Sequence, residues 1–176
     1  YALLSAPGAP LKQALLDAKI GKDIYGSFED GIKQTYFSIV AKGANLSQKE
    51  EFVKVIRDTL TKIMEEGIDK KAVTAGINYY EFRFREADFS SYPKGLMYGL
   101  DILSSWLYDD TKPFCEVQLL EGFEFLKKAL EEGYFEDLIR KYLLDNTHGA
   151  ILSLVPEKGL AAKRDKELEE KLENYR

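Results

Sequence analysis

From residue 47 to residue 144 the apolar residues recur at spacings of three and four, and period-two alternation is confined to short runs outside that block. A chain patterned this way has too little strand for a barrel or a sandwich and must lay helices on a small sheet. The block opens at Ser47-x-x-Glu50, the spacing of a capping box. Phe52, Ile56, Leu60 and Ile63 follow on one helical face, and Gly67 closes it. Asp69 is placed to cap a second helix carrying Val73, Ile77, Tyr80 and Phe84. Pro93 opens a third, with Leu96, Leu100, Leu103 and Leu107 as its stripe and Trp106 alongside. Pro113 precedes a fourth, with Leu119, Phe123, Leu126 and Leu130, stopped by Gly133; a shorter fifth covers about 134–144.

Ahead of this block, Ser5-Ala6-Pro7-Gly8-Ala9-Pro10 is a breaker cluster leading into a short helix with Leu11, Leu15 and Ala18 on one face. Asp23–Glu29 and Thr35–Ala41 alternate as strands, and Asp30-Gly31 between them is a hairpin signal. After the block, Ala150–Val155 reads as a third strand ended by Pro156. The expected fold is therefore α+β: an antiparallel or mixed sheet of few strands packed by about five helices. Three short strands cover five helices thinly, so the sheet is expected to be incomplete, with an open edge awaiting a strand from elsewhere. Residues 157–176 hold 12 charged residues whose signs cancel, with Leu160, Leu168 and Leu172 as the strong apolar spots. They read as a solvated helix or the start of a linker.

With 176 residues and 45% hydrophobic content, the chain can build a core and is sized for one domain. Its net charge of −5 argues against a nucleic-acid partner. A single cysteine, Cys115, allows no internal disulfide, which points to a bacterial cytoplasm or an organellar matrix. No apolar run approaches the ~20 residues needed to span a bilayer, and no signal-peptide pattern marks the chain for secretion. The start at Tyr1-Ala2-Leu3-Leu4, without an initiator Met, reads as a piece of a longer polypeptide.

Chemistry-bearing motifs are scarce. Neither a Gly-x-Ser-x-Gly elbow nor a phosphate-binding Gly-x-x-x-x-Gly-Lys-Ser/Thr loop occurs. His148 has no Ser, Cys or second His near it in sequence, and Cys115 has only Lys112 to stabilise a thiolate; both read as structural. Gly95 and Gly99 sit on the leucine-striped helix, where close packing is the simpler reading than a membrane dimer face. The dense run Tyr79-Tyr80-Glu81-Phe82-Arg83-Phe84-Arg85-Glu86 reads as a helix buried on two sides, its arginines paired to nearby carboxylates.

The order of segments is more telling than any one motif. The helix opening Ser5–Leu11 is followed by Gly21-Lys22, the hairpin to Phe37-Ser38-Ile39, and Glu65-Glu66-Gly67-Ile68-Asp69 between two helices. Glu81–Glu86 then runs into Ser91-Tyr92-Pro93-Lys94-Gly95-Leu96, and Trp106-Leu107-Tyr108-Asp109 precedes Lys112-Pro113-Phe114. Asp145-Asn146-Thr147-His148 leads to the last strand. In this order and spacing the chain resembles the insulinase-like (pitrilysin) zinc metallopeptidases, specifically the presequence-protease branch, over essentially all its length.

The resemblance implies a metallopeptidase-like half-domain from an enzyme of two halves, each with two α+β domains, enclosing a chamber for unfolded peptides. It implies zinc in the first domain, held by an inverted His-x-x-Glu-His motif and a distal Glu. This chain lacks that motif. It is similar to the second, non-catalytic domain of the N-terminal half, as residues 1–156, running into the inter-half linker at 157–176. The family's strand and helix before this point would be missing, with Tyr1–Leu4 the end of that helix. By position, a substrate exosite of insulin-degrading relatives maps its glycine-rich loop onto Ala6, Pro7 and Gly8 and its strand onto Thr35, Tyr36 and Phe37. There a peptide would add as an extra β-strand. Ala6 stands where those relatives have Gly, and Gln34-Thr35 is polar at the strand start, so the same segments also fit a purely structural role. No catalytic residue and no metal ligand is expected in this chain, and its partners are expected to be peptides and the remaining domains of the parent. A catalytically dead scaffold relative and a free-standing interaction module are the alternative expectations.

Overall fold

The computed structural model describes residues 1–87 and 89–175, so Arg176 at the end of the charged tail lies outside them. Among the described residues the chain runs α1 (Pro10–Asp17), β1 (Asp23–Glu29), β2 (Tyr36–Lys42), α2 (Lys49–Glu66), α3 (Lys70–Glu86), α4 (Lys94–Trp106), α5 (Leu120–Ala129), α6 (Tyr134–Ile139) and α7 (Leu160–Glu173). The fold is α+β. Its sheet is the antiparallel hairpin β1–β2, in register from Asp23 opposite Lys42 to Glu29 opposite Tyr36.

The first core forms where α1 lies against both β1 and α2. Leu11 and Leu15, four apart on α1, bury fully together with Ile20 and Ile24. Leu4, Leu60, Ile63 and Ile139 complete the cluster, and Phe37, Ile39 and Ala41 of β2 pack on it from the hairpin. Each such side chain contributes roughly 1.5–3 kcal/mol by leaving water. Gly26 fits this core for a steric reason: a β-carbon there would stand 2.1 Å from the Ser38 carbonyl oxygen and 2.7 Å from Leu4 Cδ1. Only a bare backbone lets Leu4 lie down on the strand.

A second, smaller core holds Val73 and Ile77 of α3 with Leu130, flanked by Phe123, Leu126 and Phe135. Ile68, in the link between α2 and α3, packs on both cores. Its N–H donates to Glu136 Oε1 at 3.0 Å, which fastens the link to α6. Asp69 caps α3 as its position predicts, accepting from the Lys71 and Ala72 amides at 2.9 and 3.1 Å.

Glu81 ties α3 to α5. It is 8% exposed, and its carboxylate accepts from Arg85 Nη2 and Nε at 2.6 and 2.8 Å and from Lys127 Nζ at 2.6 Å. A carboxylate this deep is tolerable because both oxygens meet a cation. The Lys127 ammonium, and then the Arg85 guanidinium, hold Glu81 below the usual carboxylate range. Arg83 lies over the Tyr79 ring, 5.7 Å from its centroid.

The structure differs from the sequence pattern in several places. Ala150–Val155 forms no strand: it has strand composition but no ladder neighbour among the described residues, and Leu152 and Leu154 are 88% and 98% exposed. The expected capping box at Ser47 and Glu50 is displaced by a 3-10 turn at Leu46–Gln48. Gln48 Oε1 accepts from the Asn45 amide at 3.0 Å while Nε2 donates to the Lys19 carbonyl at 3.1 Å, so one side chain pins two loops. The helix expected after Pro113 is delayed by a 3-10 turn at Cys115–Val117 and starts at Leu120, and the one expected over 134–144 is α6 followed by a π-turn at Arg140–Leu144.

A further difference concerns α4, which buries none of its residues and has Met97, Tyr98 and Ile102 half-buried while its leucine stripe is exposed. Leu96, Leu100, Leu103 and Leu107 are between 42% and 69% exposed, whereas Tyr98, Asp101, Ser104 and Ser105 are half-buried. Burial, and then the Asp30 carboxylate of the hairpin loop, pushes Asp101 upward from the usual aspartate value. Beyond the helix's own backbone, no heavy atom of the described residues lies within 4 Å of where a β-carbon would stand at Gly95 or Gly99, so neither glycine is needed for packing among them.

Leu15→Ala should lower the unfolding free energy by about 2–5 kcal/mol, read from urea titration, because it opens a cavity in the first core. Glu81 contributes stability that is fully present above the ordinary glutamate value of 4.5 and is lost as the pH falls from there through the lowered value. Glu81→Gln should therefore reduce the urea midpoint at neutral pH and flatten its decline on the acid side; an unchanged acid slope would contradict the assignment.

Candidate functional site

The loop Ser5–Ala9 leaves Leu4, anchored over Gly26, and enters α1 at Pro10, whose fixed φ suits a first helical position. Its reversal is made by Gly8, at φ +72° with open space around it. The Ala6 N–H donates to the Tyr1 carbonyl at 3.1 Å and the Ala9 N–H to the Ala6 carbonyl at 3.0 Å, so the loop is held by its own backbone. Beneath it lies a cavity of about 490 Å³, walled by Ala6, Pro7 and Gly8, the α1 residues Gln13 and Asp17, the last turns of α2 and the Gly67–Asp69 link. The wall is mostly small side chains and backbone. Its charged groups are already engaged: Lys62 pairs with Glu66 at 3.8 Å, Gln13 donates to Asp17 at 2.7 Å, and Asp69 caps α3.

The second candidate segment lies elsewhere. Thr35 ends the hairpin loop and Tyr36 begins β2, about half exposed, while Phe37 turns inward onto the first core. None of the three lines the cavity under the loop. The structure thus gives two separate features: a backbone-lined hollow at Ala6–Gly8 and a strand whose outer edge has no ladder partner among the described residues. The first core joins them, since Leu4 before the loop and Phe37 and Ile39 on β2 pack into the same cluster. Such an edge can accept an extended peptide through main-chain hydrogen bonds, largely independent of its sequence.

Sequence reasoning missed half of the hollow. The α2 terminus and the Gly67-Ile68-Asp69 link read as an ordinary helix junction. What gives them away is the fully apolar 4, 11, 15, 60, 63 set, which forces the end of α2 beneath the loop. The resemblance implies zinc in another domain, and among the described residues no group of three or more His, Cys, Asp or Glu is placed to hold an ion. His148 is exposed in its loop, its backbone N–H donating to Asn146 Oδ1 at 2.8 Å. The half-buried Cys115 thiol lies 3.6 Å from Glu116 Oε1.

Comparison with known proteins adds what the site alone does not show. Protein HypA of Clostridium perfringens is 46% identical over 176 residues, covering 100% of this chain. Presequence protease 1, chloroplastic/mitochondrial, of Arabidopsis thaliana is 35% identical over 176 residues, covering 97% of it. Over nearly its whole length the chain is similar to a segment of a presequence protease. The mitochondrial presequence protease of Xenopus laevis also matches, at 26% identity over 174 residues. No family model matches the chain. The matched region is 18%, 16% and 17% of the length of these three relatives, so the chain spans only a segment of the curated proteins it matches. The match to HypA spans every candidate residue in both the loop and the strand. No described helix is long and apolar enough to cross a membrane.

Gly26→Ala should destabilise the chain by roughly 1–3 kcal/mol through overpacking against Ser38 and Leu4, seen as a lowered thermal midpoint. A variant as stable as the parent would show that Leu4 is not seated as described. Dialysis against zinc followed by atomic absorption should find no stoichiometric metal on the chain, and His148→Ala should leave that result unchanged.

Proposed function

We propose that this chain is a non-catalytic unit of a zinc-dependent metalloendopeptidase of the presequence-protease type, contributing to the wall of a chamber that admits unfolded peptides. The 35% identity to Presequence protease 1 across nearly the whole chain carries this reading. The outer edge of β2, which has no ladder partner among the described residues, supports the substrate-binding part, because an extended peptide can add there without side-chain selection. In this reading Thr35, Tyr36 and Phe37 receive the peptide backbone, and Ala6, Pro7 and Gly8 shape the approach next to it. Catalysis and zinc belong to another domain of the longer protein, and the partners of this chain are those remaining domains and the peptide substrate. Residues 1–156 form the binding unit, and α7, which buries none of its residues, begins the connection to the other half. The site of action is a bacterial cytoplasm or an organellar matrix, in keeping with the chloroplastic and mitochondrial names of the relatives.

Hydrogen exchange tests the edge directly. Adding an unstructured peptide to the chain should slow exchange of amides on the outer edge of β2, and Tyr36→Glu should weaken that protection. In a longer, active protein containing this chain, Tyr36→Glu should raise KM while leaving kcat near its parent value. Unaltered exchange and unaltered kinetics would remove the exosite.

A further inference from the structure

The segment that leads from the first core to α7 has no role in the peptide binding proposed above, and its bareness calls for an explanation. Every residue from Asp145 to Gly159 is exposed, and residues 146–157 are the longest run without helix, strand or turn among the described residues. No backbone N–H or carbonyl from Gly149 to Pro156 is hydrogen-bonded within them. The side chains are nevertheless apolar. Ile151, Leu152, Leu154 and Val155 are 49%, 88%, 98% and 66% exposed, and no charge interrupts Ala150–Val155.

These are the conditions an endopeptidase sets. It holds its substrate as an extended strand over about six to eight residues, main chain to main chain, with pockets for alternate side chains. The substrate backbone must therefore be exposed and free of other bonds. Other segments fail one condition or the other. The hairpin loop of residues 30–35 is shorter, and the β1–β2 ladder holds its ends about 5 Å apart. The exposed leucines of α4 belong to a helix, whose peptide groups bond one another. Between α4 and α5 the chain folds into successive turns. Residues 149–156 meet both conditions.

We propose that Ala150–Val155 is a processing site, where an endopeptidase with an apolar specificity pocket separates α7 from the rest of the chain. The bond is Ser153–Leu154, because Leu154 is the most exposed large apolar side chain among the described residues and enters such a pocket most freely. Water adds to the Ser153 carbonyl carbon, the C–N bond breaks, and the Leu154 nitrogen takes up the proton. A carboxylate remains on Ser153 and an ammonium on Leu154. Val155–Pro156 is a poor alternative, since proline brings no N–H and a fixed φ to the bond. The cut is clean: neither hydrophobic cluster uses a residue beyond Leu144, and α7 buries none of its own. Both cores therefore survive it, while α7 is left without an apolar anchor. None of this depends on whether the β2 edge binds a peptide.

Thermolysin, a metalloendopeptidase that cuts before apolar residues, is the probe. Brief digestion of the 176-residue chain, followed by intact mass measurement, should give as its first products a fragment ending at Ser153 and one beginning at Leu154. The rate should not change with urea below the unfolding transition, because no unfolding precedes the cut. The larger fragment should keep the thermal midpoint of the whole chain. Leu154→Asp should abolish this pair of fragments, with circular dichroism unchanged because the side chain is exposed. A first cut in the hairpin loop or elsewhere overturns the proposal, as does a rate that rises with urea in step with unfolding. So does a longer protein containing this chain that resists at Ser153–Leu154 while the chain itself is cut there.

Discussion

Most of this structure hangs on α1 being held between the hairpin and α2. Two leucines one turn apart, Leu11 and Leu15, are sealed there with Ile20 and Ile24. An isolated eight-residue helix would not persist in water, because nucleation is costly and so few hydrogen bonds repay it. A lone two-stranded hairpin is equally marginal. Each becomes stable by giving the other an apolar face, and α2 closes the third side with Leu60 and Ile63. The loop at Ala6–Gly8 and the strand start at Tyr36 owe their positions to this one contact.

Elements whose apolar residues find partners within the chain were legible from the pattern. The hairpin is displaced by one residue on β2, and α3 starts where Asp69 says it should. The errors fall where the partner is not within reach. Ala150–Val155 has the composition of a strand, but a strand exists only as half of a ladder, and periodicity does not supply the other half. At α4 the leucine stripe correctly announced a helix, yet its facing was read by the rule that apolar means inward. Here Met97, Tyr98 and Ile102 are half-buried beside the serines and Asp101, and the leucines face water. At Gln48, a side chain capable of two hydrogen bonds outcompeted the Ser47–Glu50 box by bonding Lys19, a residue 29 positions away that no local motif includes.

The candidate site was legible only in part for the same reason. The breaker cluster marked a loop, but the hollow under it depends on where α2 ends in space. The cluster Tyr79–Glu86 was legible in part: its buried carboxylate, Glu81, has the two cations such burial demands, one from its own helix and one from α5, but Tyr79, Tyr80 and Phe82 are exposed, so the helix is not buried on two sides. Homology added the longer protein to which a segment like this corresponds, something no residue here encodes by itself.

Ile68 has a consequence of its own. The two cores are separate clusters that both lean on this residue and on the short link around it. They are not the only support: α6 carries Ile139 into the first cluster and Phe135 onto the second, and Leu4 and Ala2 are divided between them in the same way. Loosening the α3–α5 side therefore pulls on the hairpin side through the chain's first residues, the Ile68 link and α6 together.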